Sequence, residues 1–193
     1  MAVRAVVFDI GETLLDETAL WESAADAAGV PRFTLMGVLG GLAARGEAHS
    51  RVWEILGAER PPSAWPGDGF YADAVPALQE LRARGLVVGA VGNTPVEAEE
   101  LVREHVDFVG SSARWGIEKP AAEFFARVAR EAGFAPEQVA YVGDRVDNDV
   151  VPALAAGMVA VHIRRGPWGH LHEPPITAYR IRTLDELSQV LGV

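Results

Sequence analysis

Four short segments hold residues whose types and spacing could do chemistry: Asp9 with Gly11 behind it, Gly92-Asn93-Thr94, Lys119 before Pro120, and Asp144 with Asp149 five residues on. Asp9 and Asp144 each follow an apolar run and can offer two carboxylates to a hard divalent cation, for which Mg²⁺ is the best fit. A carboxylate facing a phosphoryl group can attack it only when the combined negative charge is neutralised. That calls for the metal together with a cation such as Lys119. The remaining polar segment, Gly92-Asn93-Thr94, has the backbone and hydroxyl donors expected of a phosphate contact.

Such residues converge only if the elements carrying them end at the same level. Residues 2–8 form a short valine-rich run and predict a buried strand whose carboxyl end meets Asp9. Runs 86–91, 106–109, 139–142 and 158–163 share that character, and segments 74–84, 96–105, 121–132 and 146–156 read as helices between them. Gly85, Gly133 and Gly157 stand just beyond three of these helices as stops. Strand and helix alternating in this way predict an α/β fold, a doubly wound, Rossmann-like parallel sheet covered on both faces. In such sheets ligands bind beyond the carboxyl ends of the strands, where all four segments lie.

Residues 18–28, 33–45 and 47–56 read as consecutive helices without an intervening strand. They predict a small inserted helical cap over residues 17–68, with the catalytic core in 1–16 and 69–193. Phe33, Met36, Leu39 and Leu42, flanked by Leu35 and Val38, make an apolar stripe at helical spacing that must pack on something. Gly37, Gly40 and Gly41 either weaken that helix or admit another backbone. The Pro- and Gly-dense stretch 59–70 returns the chain to the core. Residues 164–177 read as irregular, 179–181 as an edge strand and 184–191 as a closing helix.

The 193 residues include no cysteine, which excludes disulfides, thiolate zinc sites and cysteine nucleophiles. Lys and Arg number 17 against 27 Asp and Glu, and the net charge of −10 disfavours nucleic acid and anionic lipid as partners. No apolar run approaches the roughly 20 residues of a membrane span. The apolar start is too short for a signal peptide, so a cytoplasmic location is expected. His162, His170 and His172 match no strong zinc spacing and read as surface-loop residues. Trp21, Trp53, Trp65 and Trp168 either pack or line the space between cap and core. Arg45, Arg51 and Arg114 are candidates for a substrate anion, and Asp147 is assigned to solvent or a helix N-terminus.

Taken together, the four segments resemble the haloacid dehalogenase-like hydrolases, which carry four motifs in this order. The motifs match Phe8-Asp9-Ile10-Gly11-Glu12-Thr13-Leu14, Val91-Gly92-Asn93-Thr94, Gly116-Ile117-Glu118-Lys119-Pro120 and Val142-Gly143-Asp144 through Asp149. The resemblance implies a Mg²⁺-dependent phosphatase acting on a small phosphorylated metabolite. It further implies an aspartyl-phosphate on Asp9, metal ligation by Asp9, Asp144 and the Gly11 carbonyl, and charge balance by Lys119. Gly92, Asn93, Thr94 and Lys119 are then the phosphate-binding set. Asp149 would support the metal's waters or orient Lys119.

Two positions depart from the family pattern. Phosphatases similar to this chain usually carry a second aspartate two residues after the nucleophile, where it protonates the leaving oxygen and then activates water; here that position is Gly11. Glu12 either substitutes for it or points into solvent. Without such help, aryl, acyl or anomeric phosphates should be better substrates than alkyl phosphates, since general acid–base catalysis contributes roughly 10²–10⁴-fold. The second motif begins with Gly92 in place of a hydroxyl residue. The rivals are a haloacid dehalogenase, which would leave Asp144 unexplained, and a non-catalytic phosphate-binding module. Phosphonate cleavage lacks its Schiff-base lysine, because residues 17–68 contain none.

Overall fold

The computed structural model describes residues 2–62 and 69–193. Trp65 and the rest of 63–68 lie outside them. The elements run β1 (Ala5–Phe8), α1 (Thr18–Ala27), α2 (Arg32–Ala44), α3 (Val52–Leu56), α4 (Ala74–Ala83) and β2 (Val87–Gly92). They continue with α5 (Val96–Val102), β3 (Phe108–Ser111), α6 (Ser112–Trp115), α7 (Ala122–Ala132) and β4 (Val139–Gly143). After a π-helical turn at Val146–Val150 come α8 (Val151–Ala155), β5 (Val159–Ile163), α9 (Gly166–Leu171), β6 (Tyr179–Ile181) and α10 (Leu187–Leu191).

The strands form one parallel sheet, as the alternating pattern predicts, and the structure sets their order as β3-β2-β1-β4-β5-β6. All four residues of β1 are buried because both faces of the sheet are covered. Val6 and Phe8 pack with Leu78 and Leu81 of α4 on one face, while Ala5 and Val7 pack with Phe125 and Val128 of α7 on the other. Alternate residues serve opposite layers, as the two-residue strand period requires. Helix α7 buries Phe124, Phe125, Val128, Ala129 and Ala132, then stops at Gly133, whose φ of 76° suits glycine. Each of those large side chains contributes roughly 1.5–3 kcal/mol by leaving water.

Helices α1, α2 and α3 share a separate apolar cluster built on Leu35, Leu39, Leu42, Val52 and Trp53, to which Trp168 of α9 is added. The chain leaves and re-enters the sheet region side by side: Leu15 bridges Phe70, and the Asp16 N–H donates to the Gly69 carbonyl at 2.8 Å. No single helix is long and apolar enough to cross a membrane among the described residues.

Several local expectations are corrected. Phe33 does not join the α2 stripe: it is 91% exposed, because the buried face follows Leu35, Leu39 and Leu42 and turns residue 33 outward. Gly37 and Gly40 admit no other backbone among the described residues, since nothing beyond their own helix lies within 4 Å of a side chain placed there. Residues 164–177 contain α9, with Pro167 in its first turn, where a missing N–H costs nothing. Residues 112–115 form the short helix α6, capped by the Ser111 hydroxyl accepting from Arg114 N–H.

Candidate active site

Strand β1 lies between β2 and β4, with Phe8 opposite both Ala90 and Val142. Asp9 therefore emerges at the centre of the sheet's carboxyl edge, its N–H held by the Val142 carbonyl at 2.8 Å. Asp144 leaves β4 on the same edge. The next five residues wind as a π turn, in which the Val150 N–H reaches back to the Arg145 carbonyl at 3.2 Å. This wider turn carries Asp149 back beneath Asp144, where its Oδ2 accepts from the Arg145 N–H at 3.0 Å. Asp9, Asp144 and Asp149 are buried, and one oxygen from each lies within 4.8 Å of the others.

Lys119 Nζ stands between two of these carboxylates, 2.7 Å from Asp9 Oδ1 and 2.6 Å from Asp149 Oδ1. Asn93 fixes the lysine's backbone with both ends of its amide: Nδ2 donates to the Lys119 carbonyl at 2.9 Å, and Oδ1 accepts the Lys119 N–H at 2.8 Å. The Lys119–Pro120 peptide is cis. Thr94 Oγ1 is buried and has no hydrogen-bond partner among the described residues. A Cβ on Gly92 would stand 3.0 Å from Asp9 Oδ1, so glycine there leaves the Asp9 carboxylate room.

These groups open into a cavity of about 360 Å³. Trp21, Met36, Leu39, His49 and Trp168 supply its roof. Five carboxylates line it, those of Asp9, Glu12, Asp16, Glu17 and Asp144, against the cations of Lys119 and Arg145. Burial, followed by the charges of Asp149, Asp9 and Glu12, pushes Asp144 well above the usual carboxylate range. Burial pulls Lys119 down, but Asp149 and Asp9 outweigh it and hold the ammonium well above its ordinary pKa. A surplus of buried negative charge on oxygen donors is the environment that a hard divalent cation relieves, so the residues present fit Mg²⁺.

The loop after Asp9 is braced from the far side. Glu12 has φ 51°, and its carboxylate is engaged twice: Oε1 accepts the Glu17 N–H at 2.9 Å and Oε2 accepts the Tyr71 hydroxyl at 2.7 Å. The Arg165 guanidinium lies 4.2 Å over the Tyr71 ring, donates to the Thr13 carbonyl at 2.7 Å and pairs with Asp73. Glu12 is thus a brace of this loop rather than a side chain pointing into solvent. Glu17 starts α1, and its Oε2 accepts the indole N–H of Trp21 at 2.9 Å, one helical turn on. Burial, with Glu12 and Asp9 adding to it, pushes the Glu17 carboxyl up to about 7.

Other candidates lie elsewhere. Arg45 and Arg51 both pair with Glu47, and Arg114 pairs at 2.8 Å with the fully buried Glu99, so none of the three lines the cavity. Asp147 pairs with Arg145 at 2.7 Å. The surface-loop reading of the histidines is corrected at His162, which is buried on β5 with Nε2 2.9 Å from the Asp144 carbonyl. That geometry puts a proton on Nε2, since the carbonyl can only accept. Trp21 and Trp168 line the cavity and Trp53 stacks on Trp21 at 6.5 Å. Sequence reasoning passed over Glu17, Tyr71, His49, Arg145 and Arg165. Only Glu17 carried a signal, an acidic residue four positions before Trp21 on one helix face.

Residues 3–157 match the haloacid dehalogenase-like hydrolase family. Among curated relatives, a glyceraldehyde 3-phosphate phosphatase of Methanopyrus kandleri is 32% identical, with 86% of each chain covered. A glyceraldehyde 3-phosphate phosphatase of Methanocaldococcus jannaschii is 35% identical over 63% of this chain and 56% of its own length. Among solved structures, a HAD phosphatase from Thermococcus onnurineus superposes with a TM-score of 0.66 at 24% identity, covering 98% of both chains.

Proposed function

Because the chain belongs to the haloacid dehalogenase-like hydrolase family, we propose that it is a Mg²⁺-dependent phosphatase that hydrolyses a small phosphomonoester through an aspartyl-phosphate on Asp9. The observation that carries this reading is the Lys119 ammonium seated between Asp9 and Asp149, with Asp144 beside them. Asp9 is the only one of the three acids at the end of the central strand, facing the cavity with Lys119 to offset the approach of an anion. The phosphatase relatives support the same chemistry.

In this mechanism an Asp9 carboxylate oxygen attacks phosphorus and the bond to the leaving oxygen breaks. Lys119 stabilises the charge that collects on the phosphoryl oxygens, while Asp149 and the Asn93 clamp hold the ammonium in place. Thr94 Oγ1, the unpartnered buried hydroxyl, donates to the phosphoryl group. Mg²⁺ would be held by Asp9, Asp144, the Gly11 carbonyl and Asp149, and would supply Lewis-acid polarisation of the phosphoryl oxygens. Residues 17–68 act as a cap whose Trp21, Met36 and Leu39 limit water and the size of the organic group.

A dehalogenase reading leaves the Asp144 carboxylate without work. The decisive measurement is Mg²⁺-dependent release of phosphate from a panel of aryl, sugar and acyl phosphates, with Asp9→Asn as the control. Turnover abolished in that variant supports the enzyme; binding without turnover throughout the panel supports a phosphate-binding module instead.

A further inference from the structure

Gly11 lacks a side chain, but the space beside it is filled. A Cβ built on Gly11 would stand 2.2 Å from Glu17 Oε1 and 3.0 Å from Glu17 Cδ. Where it stands, the Glu17 carboxyl takes the space of a side chain at position 11, which would have to displace it. The carboxyl is placed rather than adrift: the Trp21 indole N–H holds Oε2 at 2.9 Å, and the Glu12 carboxylate holds the Glu17 backbone N–H at 2.9 Å. Oε1 makes no hydrogen bond among the described residues, and Glu17 lines the same cavity as Asp9.

Two of the competing carboxylates are engaged through both oxygens and a third through one. Glu12 is shared between Tyr71 and the Glu17 N–H, Asp16 Oδ1 accepts the Thr18 N–H at 2.8 Å, and Asp149 is held by Lys119 and the Arg145 N–H. Asp144 lies in the acidic trio with Asp9 and Asp149.

We propose that Glu17, supplied by the first helix after the nucleophile loop, is the general acid and base of the reaction and occupies the place that a side chain at position 11 would take. The assignment rests on the phosphatase reading above. In the first step Asp9 forms the bond to phosphorus, the bond from phosphorus to the leaving oxygen breaks, and the Glu17 proton passes to that oxygen. In the second step the Glu17 carboxylate takes a proton from water as the water oxygen attacks phosphorus. This frees inorganic phosphate and the Asp9 carboxylate and leaves Glu17 protonated again. One cap residue thus couples docking of α1 against the core to completion of the catalytic set.

This assignment reverses the substrate preference expected from Gly11 alone, because a proton donor is present for poor leaving groups. The test measures phosphate release with Mg²⁺ from aryl phosphates of graded leaving-group acidity and from an alkyl phosphate. Its variants are Glu17→Gln, Glu17→Ala, Gly11→Asp and the double variant Gly11→Asp with Glu17→Ala. Glu17→Gln keeps the size of the side chain and an acceptor for Trp21. It should lose roughly 10²–10⁴-fold on the alkyl phosphate and far less on the most acidic aryl phosphate, steepening the leaving-group dependence. The double variant should recover at least about tenfold of the alkyl activity lost in Glu17→Ala. Equal losses on all substrates in Glu17→Gln, or no loss, would overturn the role of Glu17. Turnover surviving in Asp9→Asn would instead overturn the phosphatase reading itself. Thermal unfolding of each variant separates loss of chemistry from loss of fold.

Discussion

Gly143 and the Asp149 carboxylate occupy adjoining space: a Cβ at position 143 would stand 2.5 Å from both Asp149 Cγ and Oδ2. The last residue of β4 must be glycine for the π turn to lay its aspartate against the sheet edge. Gly143→Ala should therefore displace Asp149 from Lys119. Stability should fall by roughly 1–3 kcal/mol, the usual cost of forcing extra volume into packed space. Phosphatase activity should fall more than about tenfold, since the lysine loses one of its two anchors. Activity assays with denaturant unfolding would show both, and a variant of unchanged activity would contradict the positioning role.

Lys119 is the buried cation between two buried acids. Lys119→Met keeps the volume and removes the charge, leaving Asp9 and Asp149 to repel one another. Metal-free protein should be destabilised by about 3–5 kcal/mol, as when one partner of a buried pair is lost. The rate of phosphate release should fall by roughly 10²–10³-fold, the size of losing one preorganised charge contact. Added Mg²⁺ should restore part of the stability and little of the rate.

Thr94 separates affinity from stability. Its hydroxyl is buried without a partner among the described residues, so Thr94→Val removes a cost of about 1 kcal/mol and should raise the unfolding midpoint. The same change removes the proposed donor to the phosphoryl group and should weaken inhibition by inorganic phosphate by roughly tenfold. A variant that is less stable, or that binds phosphate unchanged, would refute this placement.

Metal linkage is read directly from unfolding. Mg²⁺ at about 100 times its dissociation constant should stabilise the protein by about 2.7 kcal/mol, and Asp144→Asn should abolish the response. Calorimetric scans in chelator and in Mg²⁺ make the comparison.

The pH dependence of stability has an unusual sign at Glu17. Burial, then Glu12 and Asp9, raise this carboxyl from 4.5 to about 7. The folded protein thus binds the proton more tightly than the unfolded chain does. Its contribution is fully present below 4.5 and is lost as pH rises towards 7. In chelator, Glu17→Gln should gain on the parent protein as pH climbs through that window and keep a constant advantage above it. Parallel stability curves across the window would show that Glu17 is not buried against those acids in solution.

Much of the architecture was legible because its signals are local. Valine-rich runs ending in Asp9 and Gly143-Asp144, with Gly85, Gly133 and Gly157 as helix stops, declared a parallel α/β sheet before any contact was known. The acids and the lysine were legible for the same reason, since each stands at a strand end or in the loop that follows. Phe33 misled because a stripe at helical spacing does not say where its edge falls. His162 misled because its loop neighbours in sequence, His170 and His172, are not its neighbours in the sheet.

The alternation of strand and helix and the choice of candidate residues follow from residue type and short-range spacing, which a linear chain displays, whereas the strand order is set by tertiary packing. The relation of Gly11 to Glu17, of Asn93 to the Lys119 backbone and of Gly143 to Asp149 is a matter of shared volume. Exclusion between side chains distant in sequence, or brought together by a widened turn, acts only once the backbone has closed around them. Tertiary packing therefore decided which carboxylates brace the site and which one fills the space beside Gly11.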